Sequence, residues 1–329
     1  MNGSGAVAGL LSPVLDTYAD AAVGLIGCRS AGLGRESCEY DLLLVRPERN
    51  PPATLRIGET FVDLAFSTEG ELVGDLGPEA TASLAFLKPV RDRDLILSSS
   101  SSAARESFEK TCQRCADERL ALSVKGMGRA EEAISRGGAQ DADFWLVSAG
   151  YDLACAWLYA SGTIPAPSHL LSQMRELSRG RPGIFEAVSN ATGLTAGSRT
   201  ACEGRLDALA LIYDLTETPS PGAEAASPGS VRAAYELLRR KAMATLQVSQ
   251  PVESFCFLGL EMTRRLPQIL KENVGRRETS EIVSSLSGEE GGLLAQSVVR
   301  ALRIGRPVEM VEKGLEGLRG EVSALARRT

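Results

Sequence analysis

The stretch Gly27-Cys28-Arg29-Ser30-Ala31-Gly32-Leu33-Gly34-Arg35-Glu36-Ser37-Cys38-Glu39-Tyr40-Asp41-Leu42-Leu43-Leu44-Val45 decides the fold. Its last part, Tyr40 to Val45, reads as a strand ended by Pro47. Just upstream, Ala22-Val23-Gly24-Leu25-Ile26 is a short apolar run stopped by Gly27, the pattern of a buried strand. Gly32 and Gly34 mark a turn-rich connection between the two. Upstream again, Leu10, Leu11, Val14, Leu15 and Tyr18 recur at helical spacing, predicting a helix over 10–22. Downstream, Leu55 to Phe66 reads as a third strand, in which Gly58 marks a bulge or a hairpin turn. Asp94 to Leu97 is a weaker fourth strand.

After the serine run from Ser98 to Ser102, a linker or helix entry, the texture turns helical. Helices are predicted over 103–136, 144–161, 168–177, 200–213, 231–248, 252–273, 278–286, 291–302 and 307–326. Residues 216–230 hold three prolines among small residues and read as a flexible loop. Strands followed by helices predict an α+β fold. The expected division is a small mixed-sheet domain over 1–100 and an all-α domain over 101–329.

The chain has 329 residues, with 43% apolar and 24% charged, ordinary values for a globular protein. Its 36 basic and 42 acidic residues leave a net charge of −6, which argues against a surface basic throughout, as in a general nucleic-acid binder. No apolar run approaches the roughly 18 residues of a membrane span, so no membrane partner is expected. Seven cysteines at scattered spacing and a start without a basic segment lead to an expected cytoplasmic location. The lone histidine, His169, excludes sites built on two.

Chemistry concentrates in three acids. Glu39 and Asp41 stand two apart at a strand start, so both face one side. Asp63 sits inside the apolar stretch Phe61-Val62-Asp63-Leu64-Ala65-Phe66, where a lone carboxylate is costly unless paired or bound to metal. If the third strand neighbours the second, the three converge into a hard oxygen site suited to magnesium. That layout serves two ions clamping the oxygens of an in-line displacement. The Gly27 turn would supply backbone N–H groups to a triphosphate.

This stretch resembles the nucleotidyltransferase superfamily of the polymerase β type, particularly its minimal and aminoglycoside-modifying members. Their pattern runs Gly-Ser-Arg-Ala-Arg-Gly, then Asp-x-Asp before a hydrophobic strand, then a third acid on a later strand. Gly27-Cys28-Arg29-Ser30-Ala31-Gly32, Glu39-Tyr40-Asp41 and Asp63 follow that order. The resemblance implies a nucleotidyltransferase-like N-terminal domain. It implies that Gly27 and Cys28 hold the triphosphate and that Arg29 offsets its charge. It gives Glu39, Asp41 and Asp63 to magnesium, and Asp63 to deprotonation of the acceptor hydroxyl. The implied activity is magnesium-dependent transfer of a nucleoside monophosphate from a nucleoside triphosphate to an acceptor hydroxyl on a small molecule, protein or RNA, releasing pyrophosphate.

Three residues depart from the family pattern. Cys28 and Cys38 stand where serines are usual, and Glu39 replaces an aspartate, adding roughly 1.5 Å of reach. They keep open a second function, a catalytically degenerate nucleotide-binding or assembly module. A third is an RNA-binding helical protein using basic pairs such as Arg239-Arg240, Arg264-Arg265, Arg276-Arg277 and Arg327-Arg328. Nucleotide base, acceptor and assembly into a homo-oligomer stay open.

Overall fold

The computed structural model describes residues 3–48, 50–74, 76–216, 228–248, 250–274 and 299–327. The fold is α+β. One compact unit comprises residues 1–112 with 224–237, and the other 113–223 with 238–329.

The first unit opens with helix α1 (Gly3–Thr17), strand β1 (Ala22–Ile26) and a one-turn helix α2 (Gly27–Ser30). Strands β2 (Tyr40–Val45), β3 (Ala53–Ile57) and β4 (Thr60–Ser67) follow, then short helices α3 (Glu69–Gly74) and α4 (Pro78–Leu84). Strand β5 (Lys88–Arg91) and helix α5 (Ile96–Glu106) complete the run. The five strands lie in the order β3-β4-β2-β1-β5. Every neighbouring pair is antiparallel except β2 and β4, which run parallel.

Strand β2 is central because both its faces are apolar. Leu42 and Leu44 pack with Leu11, Val14, Val23 and Leu64 on one side. Leu43 and Val45 pack with Leu72, Leu87 and Leu97 on the other. A strand covered on both faces reads as a continuous apolar run, as this one does. Gly58, with φ +59°, supplies the left-handed turn of a two-residue β3–β4 hairpin, so the long third strand divides there. The outer edge of β3 is covered by the start of helix α11 (Pro228–Gln247): the Thr54 amide donates to Ser230 Oγ at 2.8 Å, and Phe61 packs with Ala233 and Leu237.

The expected strand over 94–97 is not one. Asp94 and Leu95 both have left-handed φ, near +55°, which breaks an extended chain. Asp92 then accepts hydrogen bonds from the amides of Leu97 and Ser98, both at 2.9 Å, and so caps α5. The serine run lies inside that helix. The remaining sheet position is taken by β5 instead.

The second unit is helical. Its members are α6 (Phe108–Ser135, entering from the first unit), α7 (Ala139–Ala160), α8 (Leu170–Ser178), α9 (Pro182–Thr192), α10 (Arg199–Thr216), α12 (Pro251–Val274) and α13 (Val308–Ala326), with the rest of α11. Helix α9 was not predicted; Pro182 at its first turn reads as a break but is compatible with helix entry. The predicted loop over 216–230 lies mostly, and the helix over 278–286 wholly, outside the described residues, as does most of the one over 291–302. No described helix is long and apolar enough to cross a membrane.

Two buried charges organise this unit. Asp143, fully buried on α7, accepts from the amides of Gly305 and Arg306 at 2.9 Å each. It also accepts from Arg306 Nε at 2.7 Å and pairs with Arg306 Nη2. This anchors the chain just before α13. Arg205, also fully buried, donates Nε to Ala301 O at 3.0 Å and Nη1 to Phe255 O, with its guanidinium over the Phe255 ring. Replacing Asp143 by alanine should destabilise this unit by about 3–5 kcal/mol, because the Arg306 charge loses its buried partner. Urea unfolding followed by far-ultraviolet circular dichroism checks it, with an unchanged midpoint the contrary outcome.

Candidate functional site

The site grows from the sheet register. In β1 and β2, Ile26 pairs with Asp41, so the residue after Ile26 meets the Asp41 side chain. That residue is Gly27, with φ +73°. A Cβ there would collide with Asp41 Oδ2 and lie 2.6 Å from Cγ. Glycine is therefore required twice, by backbone conformation and by the carboxylate packed against it. The chain then turns through α2, where Ser30 Oγ donates to Gly27 O at 2.8 Å.

In β2 and β4, Asp41 stands opposite Asp63 in parallel register. Both point to the face that carries Leu43, Val45 and Ala65. Glu39, two residues before Asp41, joins them. One carboxylate oxygen from each of Glu39, Asp41 and Asp63 lies within 4.8 Å of the others. Glu39 is buried, Asp41 and Asp63 are half-buried, and Glu39 Oε2 and Asp63 Oδ1 are removed from solvent. The convergence expected from the sequence is thus present.

Three ionised carboxylates this close repel one another strongly where water is scarce, and a cation relieves that cost. The donor set is all oxygen, as hard divalent ions prefer. One or two ions with bonds of about 2.0–2.1 Å span oxygens at this spacing. The residues therefore fit magnesium.

Arg29 contacts the backbone that leads into the acids. Its Nε donates to Glu39 O at 2.8 Å and Cys38 O at 3.1 Å, and its Nη2 to Cys38 O at 2.6 Å. Its guanidinium carbon lies 4.3 Å from the centre of the Tyr40 ring. These contacts fix the backbone that carries Glu39, a positioning task the sequence pattern did not reveal. Cys28 and Cys38, ten residues apart in sequence, meet: their Sγ atoms lie within 4.8 Å. The hydrogen bond with the Cys38 sulfur pushes the Cys28 thiol well above its ordinary range, and burial and the charges of Glu39 and Asp41 add to it.

No protein-family model matches the chain, and no curated protein matches it. Among solved structures, a nucleotidyltransferase-like protein from Exiguobacterium sibiricum aligns over 87% of this chain and 89% of its own. The two share 14% identity, with a TM-score of 0.36. Those values are too low to show a common fold, and the chemistry of the site rests on its own geometry.

Replacing Gly27 by alanine should displace the Asp41 carboxylate and weaken divalent-ion binding at least tenfold. Manganese titration followed by electron paramagnetic resonance measures it; an unchanged affinity would mean that Asp41 takes no part in ion binding.

Proposed function

We propose that this protein transfers a nucleoside monophosphate from a nucleoside triphosphate to an acceptor hydroxyl, releasing pyrophosphate, with magnesium held by Glu39, Asp41 and Asp63. The observation that carries this is the meeting of three carboxylates within 4.8 Å beside a glycine turn that admits no side chain.

In this reaction the acceptor oxygen forms a bond to the α-phosphorus, and the bond from that phosphorus to the β-phosphate oxygen breaks. Magnesium, when bound, draws charge from the phosphate oxygens as it builds up in the transition state. Gly27 and Cys28 bind the triphosphate through the turn after β1. Asp63, opposite Asp41 on the parallel strand, takes the proton of the acceptor hydroxyl at a carboxylate oxygen. Glu39 and Asp41 hold the metal, and Arg29 keeps Glu39 in place through its backbone carbonyl.

A second function has specific support. Cys28 offers a thiol, a weak donor, where the resembled family offers a hydroxyl, and that thiol is engaged with Cys38. This favours a module that binds nucleotide without turning it over.

Calorimetric titration with each nucleoside triphosphate, with and without magnesium, tests the binding common to both. Wild type should bind in a metal-dependent manner, and Asp41→Asn at least tenfold more weakly. No binding of any triphosphate by wild type would overturn both readings. Pyrophosphate release separates them. Transfer predicts release that falls on the order of 100-fold or more in Asp63→Asn, the scale of a lost general base. Tight binding without release favours the silent module.

A further inference from the structure

The two thiols at the site have a use that nucleotidyl transfer does not require. Cys28 lies in the first turn of α2 and Cys38 just before β2, and both are uncombined thiols. Their Sγ atoms fall within 4.8 Å of one another. Two sulfurs on one tetrahedral zinc, each with a bond of about 2.3 Å, stand roughly 3.8 Å apart. The spacing therefore admits a shared ion.

A second observation concerns the sulfur itself. The Arg35 amide donates to Cys38 Sγ at 3.3 Å, while the Cys38 amide donates back to Arg35 O at 3.1 Å. This closed turn points an N–H at the sulfur, the kind of outer contact that orients and stabilises a metal-ligating atom. Arg29 holds the same segment from the other side through the Cys38 carbonyl. The Cys38 side chain is thus fixed before any ion arrives.

We propose that Cys28 and Cys38 form a two-sulfur site for a thiophilic divalent cation of the zinc class. A pair of sulfur donors selects such an ion over magnesium, which avoids thiolates. The site does not depend on nucleotidyl transfer.

Cobalt substitution tests it on the full chain, without nucleotide, in a reducing buffer free of chelators. Wild type with one equivalent of Co2+ should show a near-ultraviolet sulfur-to-cobalt charge-transfer band. Zinc should abolish the band, and millimolar magnesium should leave it. Cys28→Ser and Cys38→Ser should each lose about half the band and bind zinc at least tenfold more weakly. The double variant should lack the band, which controls for the other five cysteines. Absence of the band in wild type would overturn the proposal, as would a band that survives in the double variant. Loss of two thiols on air exposure, with a mass lower by two hydrogens and no cobalt band after re-reduction, would identify the pair as a redox couple and overturn it too. Cys38→Ser, which keeps every residue given to triphosphate and magnesium, separates this site from the nucleotide site: magnesium-dependent nucleotide binding retained there would leave the proposed function standing whatever the cobalt result.

Discussion

The parallel pairing of β2 with β4 is the constraint on which the site depends. Antiparallel neighbours arise from hairpins, but parallel neighbours need a connection that returns the chain to its starting end. Here the return is made by β3, which forms a hairpin with β4 and lies outside it. The Gly58 turn fixes that hairpin, and the parallel register sets Asp41 opposite Asp63. A slip of one residue would turn Asp63 to the opposite face, among Leu42, Leu44 and Val23. The apolar alternation along β4 therefore enforces the placement of its single acid.

Much of this was legible in the residues. The apolar runs at 22–26 and 40–45, the break at Gly58 and the acid within 61–66 each carry a local signal of strand, turn or site. The carboxylates were readable because a strand's period of two puts Glu39 and Asp41 on one side. The helical texture beyond Ser102 was plain for the same kind of reason, a repeated apolar spacing. The start of α5 was not readable as helix, because Asp94-Leu95-Ile96-Leu97 is apolar enough for a strand. What decides it is a backbone turn at Asp94 and Leu95 and the Asp92 carboxylate, which takes up the first helical amides.

The long-range polar contacts were the least legible. Nothing local marks Arg29 as a clamp on the carbonyls of residues 38 and 39; an arginine after a glycine turn suggests phosphate equally well. Nothing local joins Cys28 to Cys38, because two cysteines ten apart carry no periodic signal. Asp143 and Arg306 are 163 residues apart, yet their pair fixes the approach to the last helix. Arg205 is buried against chain carbonyls rather than an acid, at a position where Gly259 leaves room beside it. Such contacts follow from the completed packing and cannot be read from neighbours in sequence.

The account's central claim is that Glu39, Asp41 and Asp63 together bind a divalent ion. Anomalous diffraction from crystals of the full chain soaked with manganese and a non-hydrolysable nucleoside triphosphate analogue tests this most directly. The account predicts a peak within bonding distance, about 2–2.5 Å, of oxygens from all three carboxylates. A fully loaded crystal whose peaks lie away from these residues would contradict it.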